Sequence, residues 1–357
     1  MPLPLDLILL TLIKQHLTNL HLEELIGVLE ETGQPKYRYD QLLYWVYKRR
    51  VDSYDAMTNV PKTARSLLKE KFDISKLPVA SLLKSEQGDA VKFGFKIGEE
   101  GDIIESVLLY DGKRRSLCVS SQLGCGLGCV FCETGRMGFK RNLTQHEILG
   151  QVIAANDYLA ENSDKQVSNI VFMGMGEALA NFDAFVSSVN ILMDEHCFSI
   201  GGRKITVSTA GVVPYIEKLI QTDLNVSLAV SLNSYTNEKR NAVMPINKRY
   251  PIEELINAAA GFHRQTGRKL TFEYVLIAGE NDTDEAVASL VKLLRGIPCK
   301  FNIISLNNYT DASLRAPTDQ QLNSFAKKLV DRGIAVTVRK SRGSDISGAC
   351  GQLAGRA

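Results

Sequence analysis

The feature of this sequence that most limits its fold is a repeated alternation of short apolar segments with longer amphipathic ones, beginning at residue 116. β-Branched apolar runs predict strands, and apolar residues spaced by three and four predict helices. The predicted strands are 116–121, 168–173, 204–208, 226–232, 269–277 and 301–306, and the predicted helices are 144–161, 182–195, 212–221, 251–265, 283–295 and 318–332. Six such units favour a parallel sheet covered by helices. A closed barrel needs eight units, so we predict an α/β fold, a partial (β/α)6 TIM-like barrel whose open side suits a large substrate.

The segments on either side of this alternation have different patterns. Leu22–Leu29 and Tyr39–Val46 carry apolar residues at helical spacing, which predicts an N-terminal helical accessory domain. Further along, Val91–Ile97 and Ile103–Tyr110 flank a Gly-Glu-Glu-Gly turn, which is typical of a β-hairpin. We therefore predict four parts: the helical domain 1–75, a β-rich linker 76–115, the barrel 116–343 with a last strand at 335–339, and a mobile C-terminal tail 344–357.

Composition narrows the class of protein. The chain has 357 residues, 45% of them hydrophobic, and a net charge of only +2, so its overall charge does not require a polyanionic partner. It has seven cysteines, an odd number, and three are bunched, which favours a metal or redox site in a reducing compartment over a disulfide framework. Leu3–Ile13 is apolar but contains Asp6 and is too short to cross a bilayer. We interpret it as part of a packed helix and predict a cytoplasmic protein.

Three cysteines with the spacing Cys-x3-Cys-x2-Cys give the strongest chemical signal. Cys125, Cys129 and Cys132 lie in the glycine-rich segment 124–135, directly after the first predicted barrel strand, where active-site loops of such barrels belong. Three thiolates can bind three irons of a [4Fe–4S] cluster and leave the fourth iron open for another ligand. The alternatives are a structural zinc ion or three free thiols. Zinc normally takes four ligands, and no further Cys or His lies nearby at zinc-finger spacing.

With this motif the sequence resembles the radical S-adenosylmethionine superfamily, and other segments resemble its RlmN/Cfr family of RNA adenine methyltransferases. Those segments are Ser116-Leu-Cys-Val-Ser-Ser-Gln122, Met173-Gly-Met-Gly-Glu-Ala-Leu-Ala180, Ser208-Thr-Ala-Gly-Val-Val213, Met244-Pro-Ile-Asn247, Gly348-Ala-Cys-Gly-Gln-Leu353 and the N-terminal stretch from Tyr39 through Trp45 to Lys62. The resemblance covers nearly the whole chain. It implies a [4Fe–4S] cluster that cleaves S-adenosylmethionine, with two S-adenosylmethionine molecules used per turnover.

The resemblance also implies roles for two cysteines outside the cluster motif and for one glutamate. Adenine C2 and C8 are not nucleophilic, so in this family one S-adenosylmethionine first methylates a tail cysteine, here Cys350. A radical made from the second molecule takes a hydrogen from that methyl group, and the resulting carbon radical adds to the adenine. Glu105 is the implied base, and Cys118 releases the RNA by attacking Cys350 in a transient disulfide. Without the resemblance, Cys118 would be an ordinary buried strand thiol and Glu105 a solvent-facing strand residue.

The same resemblance places the S-adenosylmethionine contacts at the carboxyl ends of predicted strands, where a β/α barrel has its site. They are Gly176, Glu177, Ser208, Ser231, Leu232, Asn233 and Asn307. The family commonly has His at the position of Asn233. An amide still donates a hydrogen bond there, but it does not titrate near neutral pH. Cys197 and Cys299 match no motif, and we interpret them as structural.

The implied partner is 23S ribosomal RNA, with tRNA as a second substrate. Candidate RNA contacts are basic residues, some of them interleaved with aromatic side chains that can stack on bases. They are the segment from Lys36 to Arg50, the pair Lys248 and Arg249, and Arg339, Lys340 and Arg342. Each of these could equally be solvated surface.

The resemblance leaves two functional alternatives open beside C2 methylation of adenosine, which is the function we predict. The C8-methylating branch, which gives resistance to ribosome-targeting antibiotics, shares every catalytic residue named above. The C-terminal sequence looks more like the C2 branch. A non-catalytic RNA-binding iron–sulfur protein is the other alternative, and it would not depend on Cys350. We also expect an electron donor such as flavodoxin, a monomer, and no membrane partner.

Overall fold

The structure is a computed structural model that describes residues 14–31, 33–98, 101–307 and 314–356. The helix predicted from Leu3–Ile13 lies outside the described residues. Within them, no helix is long and apolar enough to cross a membrane.

One twisted sheet forms the wall of the molecule and confirms the predicted fold class. Its ten strands run in the order β14-β13-β12-β11-β10-β9-β6-β5-β4-β3, and the neighbours from β6 to β14 are all parallel. Short strands β1 and β2 pair with each other, as do β7 and β8. The strands are β1 Gln15–His16, β2 Phe72–Asp73, β3 Val79–Lys84, β4 Ala90–Ile97, β5 Asp102–Asp111, β6 Arg114–Cys118, β7 Gln122–Gly124, β8 Phe139–Asn142, β9 Asn169–Phe172, β10 Ile205–Thr209, β11 Ser227–Ser231, β12 Leu270–Leu276, β13 Lys300–Ser305 and β14 Val336–Arg339.

Helices cover the outer face of this sheet, and the six predicted in the barrel are all present. Several begin at a threonine whose side chain accepts from the first turn; Thr144 and Thr318 form complete capping boxes with Glu147 and Gln321. The helices are α1 Leu22–Glu31, α2 Tyr37–Leu43, which continues as a π-helical turn at Tyr44–Lys48, α3 Lys62–Lys71, α4 Glu133–Arg136, α5 Gln145–Glu161, α6 Phe182–Met193, α7 Val213–Ile220, α8 Asn237–Val243, α9 Ile252–Thr266, α10 Asp284–Leu293 and α11 Asp319–Val330. Single 3-10 turns lie at Leu17–Asn19, Tyr54–Ala56, Ala178–Asn181, Gly202–Lys204, Pro245–Lys248 and Ser344–Ile346.

The segment before the barrel extends the same sheet. The predicted hairpin is present as β4 and β5, which pair in antiparallel register, and β5 pairs in turn with β6. Val107 of β5 lies opposite Cys118 of β6, and Cys118 lies opposite Val171 of β9. The antiparallel strands therefore continue the barrel wall on the side of Cys118.

The apolar core lies between the sheet and the helices, and the interior of the barrel is open. Outward-facing strand residues such as Leu117, Val207 and Phe272 are fully buried against helices. A closed barrel of this type normally fills its interior with branched apolar side chains. Here the inward-facing positions are mostly small and polar, and they line a cavity of about 880 Å³. These polar residues are Ser116, Asn169, Thr206, Ser227, Thr271 and Asn302.

The N-terminal helical region packs against α5. Arg50 Nε donates to Asp157 Oδ1 at 2.6 Å, and Gln145 Nε2 donates to the carbonyl oxygen of Thr18 at 2.6 Å. The rings of His16 and His146 stack with their centroids 3.5 Å apart. Burial lowers the pKa of both rings, that of His146 to about 4, so at neutral pH this contact joins two uncharged imidazoles.

Candidate active site

The three cysteines of the Cys-x3-Cys-x2-Cys motif lie on the loop that follows β7, at the carboxyl end of the barrel. The loop is closed by the small β7–β8 sheet, and Cys125 N donates to Gly138 O at 2.9 Å. Gly124 has a φ of +73°, and a Cβ built there would lie 1.8 Å from that same Gly138 oxygen. No side chain can occupy this position, so the glycine is required for the loop to turn back on β8.

Cys125, Cys129 and Cys132 all line one cavity of about 160 Å³. Burial raises the pKa of each thiol, that of Cys125 to about 12, so a bound metal must stabilise the thiolates that ligate it. Across the described residues, no three His, Cys, Asp or Glu side chains converge to hold a single metal ion. A cubane spreads its three thiolates over three different irons, so this donor set fits a [4Fe–4S] cluster better than a single zinc ion.

Gly176 and Glu177 follow β9 on the opposite wall of the same cavity. Gly176 has a φ of +96°, and a Cβ built there would lie 2.4 Å from Gln122 Cβ. Glu177 Oε2 accepts from the backbone N–H of Ala210 at 2.8 Å, whereas its Oε1 is buried and accepts no hydrogen bond from any residue that the structure describes. Burial raises the pKa of Glu177 to about 7. An unpaired carboxylate oxygen in this cavity fits a ligand that brings a positively charged amino group.

The remaining strand-end residues divide into those that face this cavity and those that support it. Ser208, Ser231 and Asn307 line the cavity. Leu232 does not: its side chain is fully buried in the core, and its carbonyl oxygen accepts from Arg240 Nε at 2.9 Å. Asn233 lines the cavity with a φ of +55°, which Asn tolerates better than most residues. Its Oδ1 accepts from Val275 N at 2.8 Å, and its Nδ2 donates to Met244 Sδ at 3.3 Å.

The C-terminal tail is docked on the loop that carries the cysteines. Asn307 Nδ2 donates to Cys350 O at 2.9 Å, Glu133 N donates to Gly351 O at 2.7 Å, and Thr134 Oγ1 donates to Leu353 O at 2.7 Å. Cys350 is exposed and lines both the cysteine-lined cavity and the larger cavity inside the barrel. Cys350 therefore lies where the two cavities meet.

Comparison with known proteins assigns the family. Two family models match the chain: the radical SAM superfamily over residues 119–291, and the ribosomal RNA large subunit methyltransferase N-terminal domain over residues 15–74. Dual-specificity RNA methyltransferase RlmN of Syntrophotalea carbinolica is 43% identical over 95% of this chain and 90% of its own length, and that of Pelobacter propionicus is 42% identical over 96% of each. This chain belongs to the RlmN family. A crystal structure of a radical SAM methyltransferase from Sphaerobacter thermophilus superposes with a TM-score of 0.90 at 43% identity, covering 96% of this chain and 100% of that one.

In this RlmN family member, Cys118 and Cys350 line the same large cavity together with Arg339. Arg339 Nη1 donates to Glu273 Oε1 at 3.0 Å. Burial raises the pKa of both thiols, and the Arg339 guanidinium opposes that rise at each of them. Cys350 is solvent-exposed, but it lines two cavities, so the surrounding protein atoms still disfavour its thiolate. All seven cysteines lie in the described part of the chain, and all are free thiols.

Glu105 lies outside both cavities. It is only 1% exposed, and its Oε1 is 2.9 Å from Lys92 Nζ in a buried ion pair. Its Oε2 accepts from the backbone N–H groups of Ala354 at 2.8 Å and Gly355 at 2.9 Å. In this arrangement the Glu105 carboxylate anchors the tail.

Arg240 is the supporting residue that sequence reasoning missed. It is fully buried and has no carboxylate partner within the described residues, and its guanidinium donates to the carbonyl oxygens of Ala210, Ser231 and Leu232 and to Asn247 Oδ1. Burial lowers its pKa to about 10, well above neutral pH. Arg240 ties together the loops after β10 and β11. A single arginine within a helix gives no signal of this role, although its partner Asn247 belongs to the Met-Pro-Ile-Asn motif.

The basic residues considered for RNA binding are placed very differently. Arg38 is buried and donates to Asn59 O at 2.8 Å, and Arg50 is paired with Asp157, so both support the N-terminal fold. Lys248 and Arg249 are exposed but line neither cavity. Lys36 and Arg49 are also exposed. Arg339 is paired with Glu273, and Arg342 is paired with Asp111. Arg339, Lys340 and Arg342 line the large cavity.

Cys197 and Cys299 line neither cavity.

Proposed function

We propose that this enzyme methylates C2 of an adenosine in 23S ribosomal RNA, and C2 of the adenosine 3′ of the anticodon in tRNA. The observation that carries the proposal is the position of Cys350 between two cavities. The smaller cavity holds the three cysteines and the unpaired Glu177 oxygen, and the larger one has room for part of an RNA substrate. The names of the relatives, dual-specificity RNA methyltransferase RlmN, support two RNA substrates.

In the proposed site, Cys125, Cys129 and Cys132 hold the [4Fe–4S] cluster. Glu177 Oε1 would accept from the amino group of S-adenosylmethionine, and Gly176, Ser208, Ser231, Asn233 and Asn307 would line the rest of its pocket. When bound, the cluster and two molecules of S-adenosylmethionine supply the methyl group and the radical chemistry. Leu232 contributes only through its backbone, because its side chain belongs to the core.

Cys350 is the proposed carrier of the methyl group. Its thiol must lose a proton to become a nucleophile, and the nearby Arg339 guanidinium lowers the cost of that ionisation. Cys118 shares the cavity and is the proposed second thiol. Its thiolate attacks the Cys350 sulfur once the RNA is attached there, and the bond between that sulfur and the RNA methylene carbon breaks. The carbon takes up a proton to become the methyl group, and a transient Cys118–Cys350 disulfide remains that a thiol reductant reduces.

Glu105 is the proposed general base, and its contacts set a condition on that role. A base must reach within hydrogen-bond distance of the proton it removes. Here both carboxylate oxygens are engaged, one by Lys92 and the other by the tail amides of Ala354 and Gly355. We infer that the tail leaves Glu105 before the proton is removed. The same movement carries Cys350 toward the base it modifies.

We propose that the chain is organised as a helical accessory domain (1–75), a β-rich linker (76–115), a barrel (116–343) and a tail that is mobile during turnover (344–357). The enzyme acts as a monomer and receives electrons from a donor such as flavodoxin. Because its substrates are ribosomal RNA and tRNA, we place it in the cytoplasm.

The test is product analysis after anaerobic reconstitution of the cluster. The enzyme is incubated with S-adenosylmethionine, dithionite and either a 23S ribosomal RNA fragment or a tRNA, and the nucleosides are compared with 2- and 8-methyladenosine standards by mass spectrometry. We expect 2-methyladenosine from the wild type and none from Cys350→Ala, which should still bind the cluster. An 8-methyladenosine product would refute the regiochemistry, and methylation by Cys350→Ala would refute the cysteine relay.

A further inference from the structure

A cluster of exposed cations surrounds the opening at the amino ends of the parallel strands. Lys204 directly precedes β10, Lys269 directly precedes β12, and Lys300 begins β13; Arg203 is the neighbour of Lys204. All four are exposed and line the mouth of the large cavity. We call them the amino-end rim. Within the described residues, none of their side chains has an ion pair or hydrogen bond, so their charges are not neutralised by the protein.

The cavity behind this rim leads to the reacting cysteines. Its wall carries polar side chains in neighbouring register, with Thr206 opposite Ser227 and Thr271 opposite Lys300. At the other end it reaches Cys118 and Cys350. Of its described lining residues, Asp111 is the single carboxylate, and that group is paired with Arg342 at 3.0 Å. A polar channel of net positive charge thus connects solvent at the amino end with the proposed methyl carrier.

The chemistry of this channel fits RNA. Lys and Arg neutralise phosphates, and hydroxyl and amide side chains bond to ribose hydroxyls and base edges. Ile304 lines both cavities and lies four residues beyond Lys300, so β13 advances about 13 Å between them. That depth is comparable with one nucleotide extruded from its stack, as enzymes that act on a base require.

A protein electron donor fits the rim less well. A donor must approach the cysteine loop, which lies at the carboxyl end. Val275 lines the cysteine-lined cavity and lies six residues beyond Lys269, so the chain along β12 advances about 20 Å between them. The rim is therefore far from the place where electrons enter.

We infer that RNA enters the barrel from its amino end, with Arg203, Lys204, Lys269 and Lys300 binding the phosphates that flank the target adenosine while its extruded base occupies the polar channel. The inference rests on the proposed function and adds the direction of entry and the residues that hold the RNA backbone. It assigns RNA binding to residues that carry no recognisable motif.

The test compares two pairs of charge removals at opposite ends of the barrel. Lys269→Gln/Lys300→Gln removes two rim charges, and Lys248→Gln/Arg249→Gln removes two exposed charges at the carboxyl end. RNA dissociation constants are measured over a range of salt concentrations with a tRNA anticodon stem-loop and a 23S fragment. We expect the rim pair to weaken RNA binding and to reduce the slope of log K against log salt by about 1.4. The carboxyl-end pair should leave affinity and slope near the wild-type values.

Thermal unfolding and turnover measurements distinguish a loss of RNA contacts from a loss of folded protein. The rim residues are exposed and have no ion pair among the residues that the structure describes, so thermal unfolding should be unchanged. Lys300→Glu provides a second variant that should weaken RNA binding further. The inference would be overturned if the rim pair kept wild-type RNA affinity and slope, or if the carboxyl-end pair lost affinity instead. In either case, 2-methyladenosine formation by the wild type would leave the proposed function intact. If the rim pair lost turnover with a protein reductant but kept it with dithionite, the rim would be a binding site for the electron donor, and the inference would also be overturned. A wild type that makes no methylated adenosine would refute the proposed function and the inference together.

Discussion

The two ends of the barrel are built in opposite ways. At the carboxyl end, side chains and backbone are held in place: Gly124 and Gly176 occupy positions where a Cβ would collide, and Arg240 ties loops together by hydrogen bonds to carbonyl oxygens. At the amino end, the cations Lys269 and Lys300 are exposed, and their side chains make no hydrogen bond or ion pair with the described part of the chain. Small cofactors need fixed geometry, whereas a phosphate backbone needs only charges that can adjust to it. The difference therefore matches a cofactor site at one end and a polymer site at the other.

Because the carboxyl end holds residues in fixed geometry, we expect substitutions there to have the largest effects on cofactor binding and activity. Cys125→Ser should abolish the iron–sulfur absorption and all methylation, because three thiolates are needed to hold three irons. Anaerobic reconstitution followed by iron and sulfide analysis measures the effect. The matched control is Cys299→Ser, since Cys299 lines neither cavity and should keep full iron content. A Cys125→Ser enzyme with a full cluster and normal turnover would contradict the assignment.

The second prediction compares two glycines. Gly176→Ala should cost about 2–4 kcal/mol of unfolding free energy, because the residue has a positive φ and its Cβ would meet Gln122. It should also weaken binding of S-adenosylmethionine. Gly261→Ala lies within α9, and its Cβ meets nothing within 4 Å. That control should stabilise the protein by about 0.5–1 kcal/mol. Equal stability of the two variants in chemical denaturation would break the contrast between the rigid end and the rest of the fold.

The same contrast explains which parts of the molecule could be predicted from sequence. The fold came from local periodicity, and each of the six predicted barrel strands and six predicted helices is present. The cysteine loop and Gly176-Glu177 are contiguous motifs, so their spacing reveals them. The amino-end rim draws Lys204, Lys269 and Lys300 from three separate strand ends. Only the register of the folded sheet brings these residues together, and an isolated Lys before a strand gives no signal.

Some failures of sequence reasoning have another cause, which is packing at the tertiary level. Glu105 was expected to be exposed in the absence of the family resemblance, yet it is buried against Lys92 and the tail. Neither the Lys92 partner nor the tail amides are near Glu105 in sequence. Leu232 remains a predicted cofactor contact, and it can take that role only through its backbone, because its side chain is fully buried in the core. Successive side chains of a strand point to opposite faces of the sheet, so Ser231, the last residue of β11, faces the cavity and Leu232 points away from it.

The third prediction uses the pH dependence of Glu177. Its pKa is raised to about 7 by burial, above the ordinary value of 4.5. The stability gained from the protonated form is therefore complete below pH 4.5 and is lost as the pH rises through 7, a change of about 3 kcal/mol in the ligand-free protein. Binding of S-adenosylmethionine should change in the opposite sense, because only the carboxylate attracts a positively charged amino group.

Glu177→Gln should remove both effects. Thermal unfolding of the ligand-free protein between pH 5 and pH 8.5 should then fall less steeply than in the wild type, and the dissociation constant of S-adenosylmethionine should no longer decrease through pH 7. Calorimetric binding to the reconstituted enzyme measures the second quantity, and the difference between the two proteins isolates Glu177 from the titration of the ligand itself. Parallel pH profiles for both proteins would show that Glu177 does not face the ligand.

The smallest predicted effect tests the polar channel between the two ends. Asn302 faces the channel on β13, while its neighbour Ile303 faces the core and is fully buried. Asn302→Val should change the unfolding free energy by no more than about 0.5 kcal/mol, because a β-branched residue suits a strand and no hydrogen bond of Asn302 within the described residues is lost. Its RNA KM should rise several-fold with kcat unchanged, since the amide acts in binding. The matched substitution Ile303→Asn should instead destabilise the fold by about 2–4 kcal/mol, because it buries an unpaired amide. If Asn302→Val proved as destabilising as Ile303→Asn, the barrel interior would be a packed core, and the route from the amino-end rim to Cys350 would be closed.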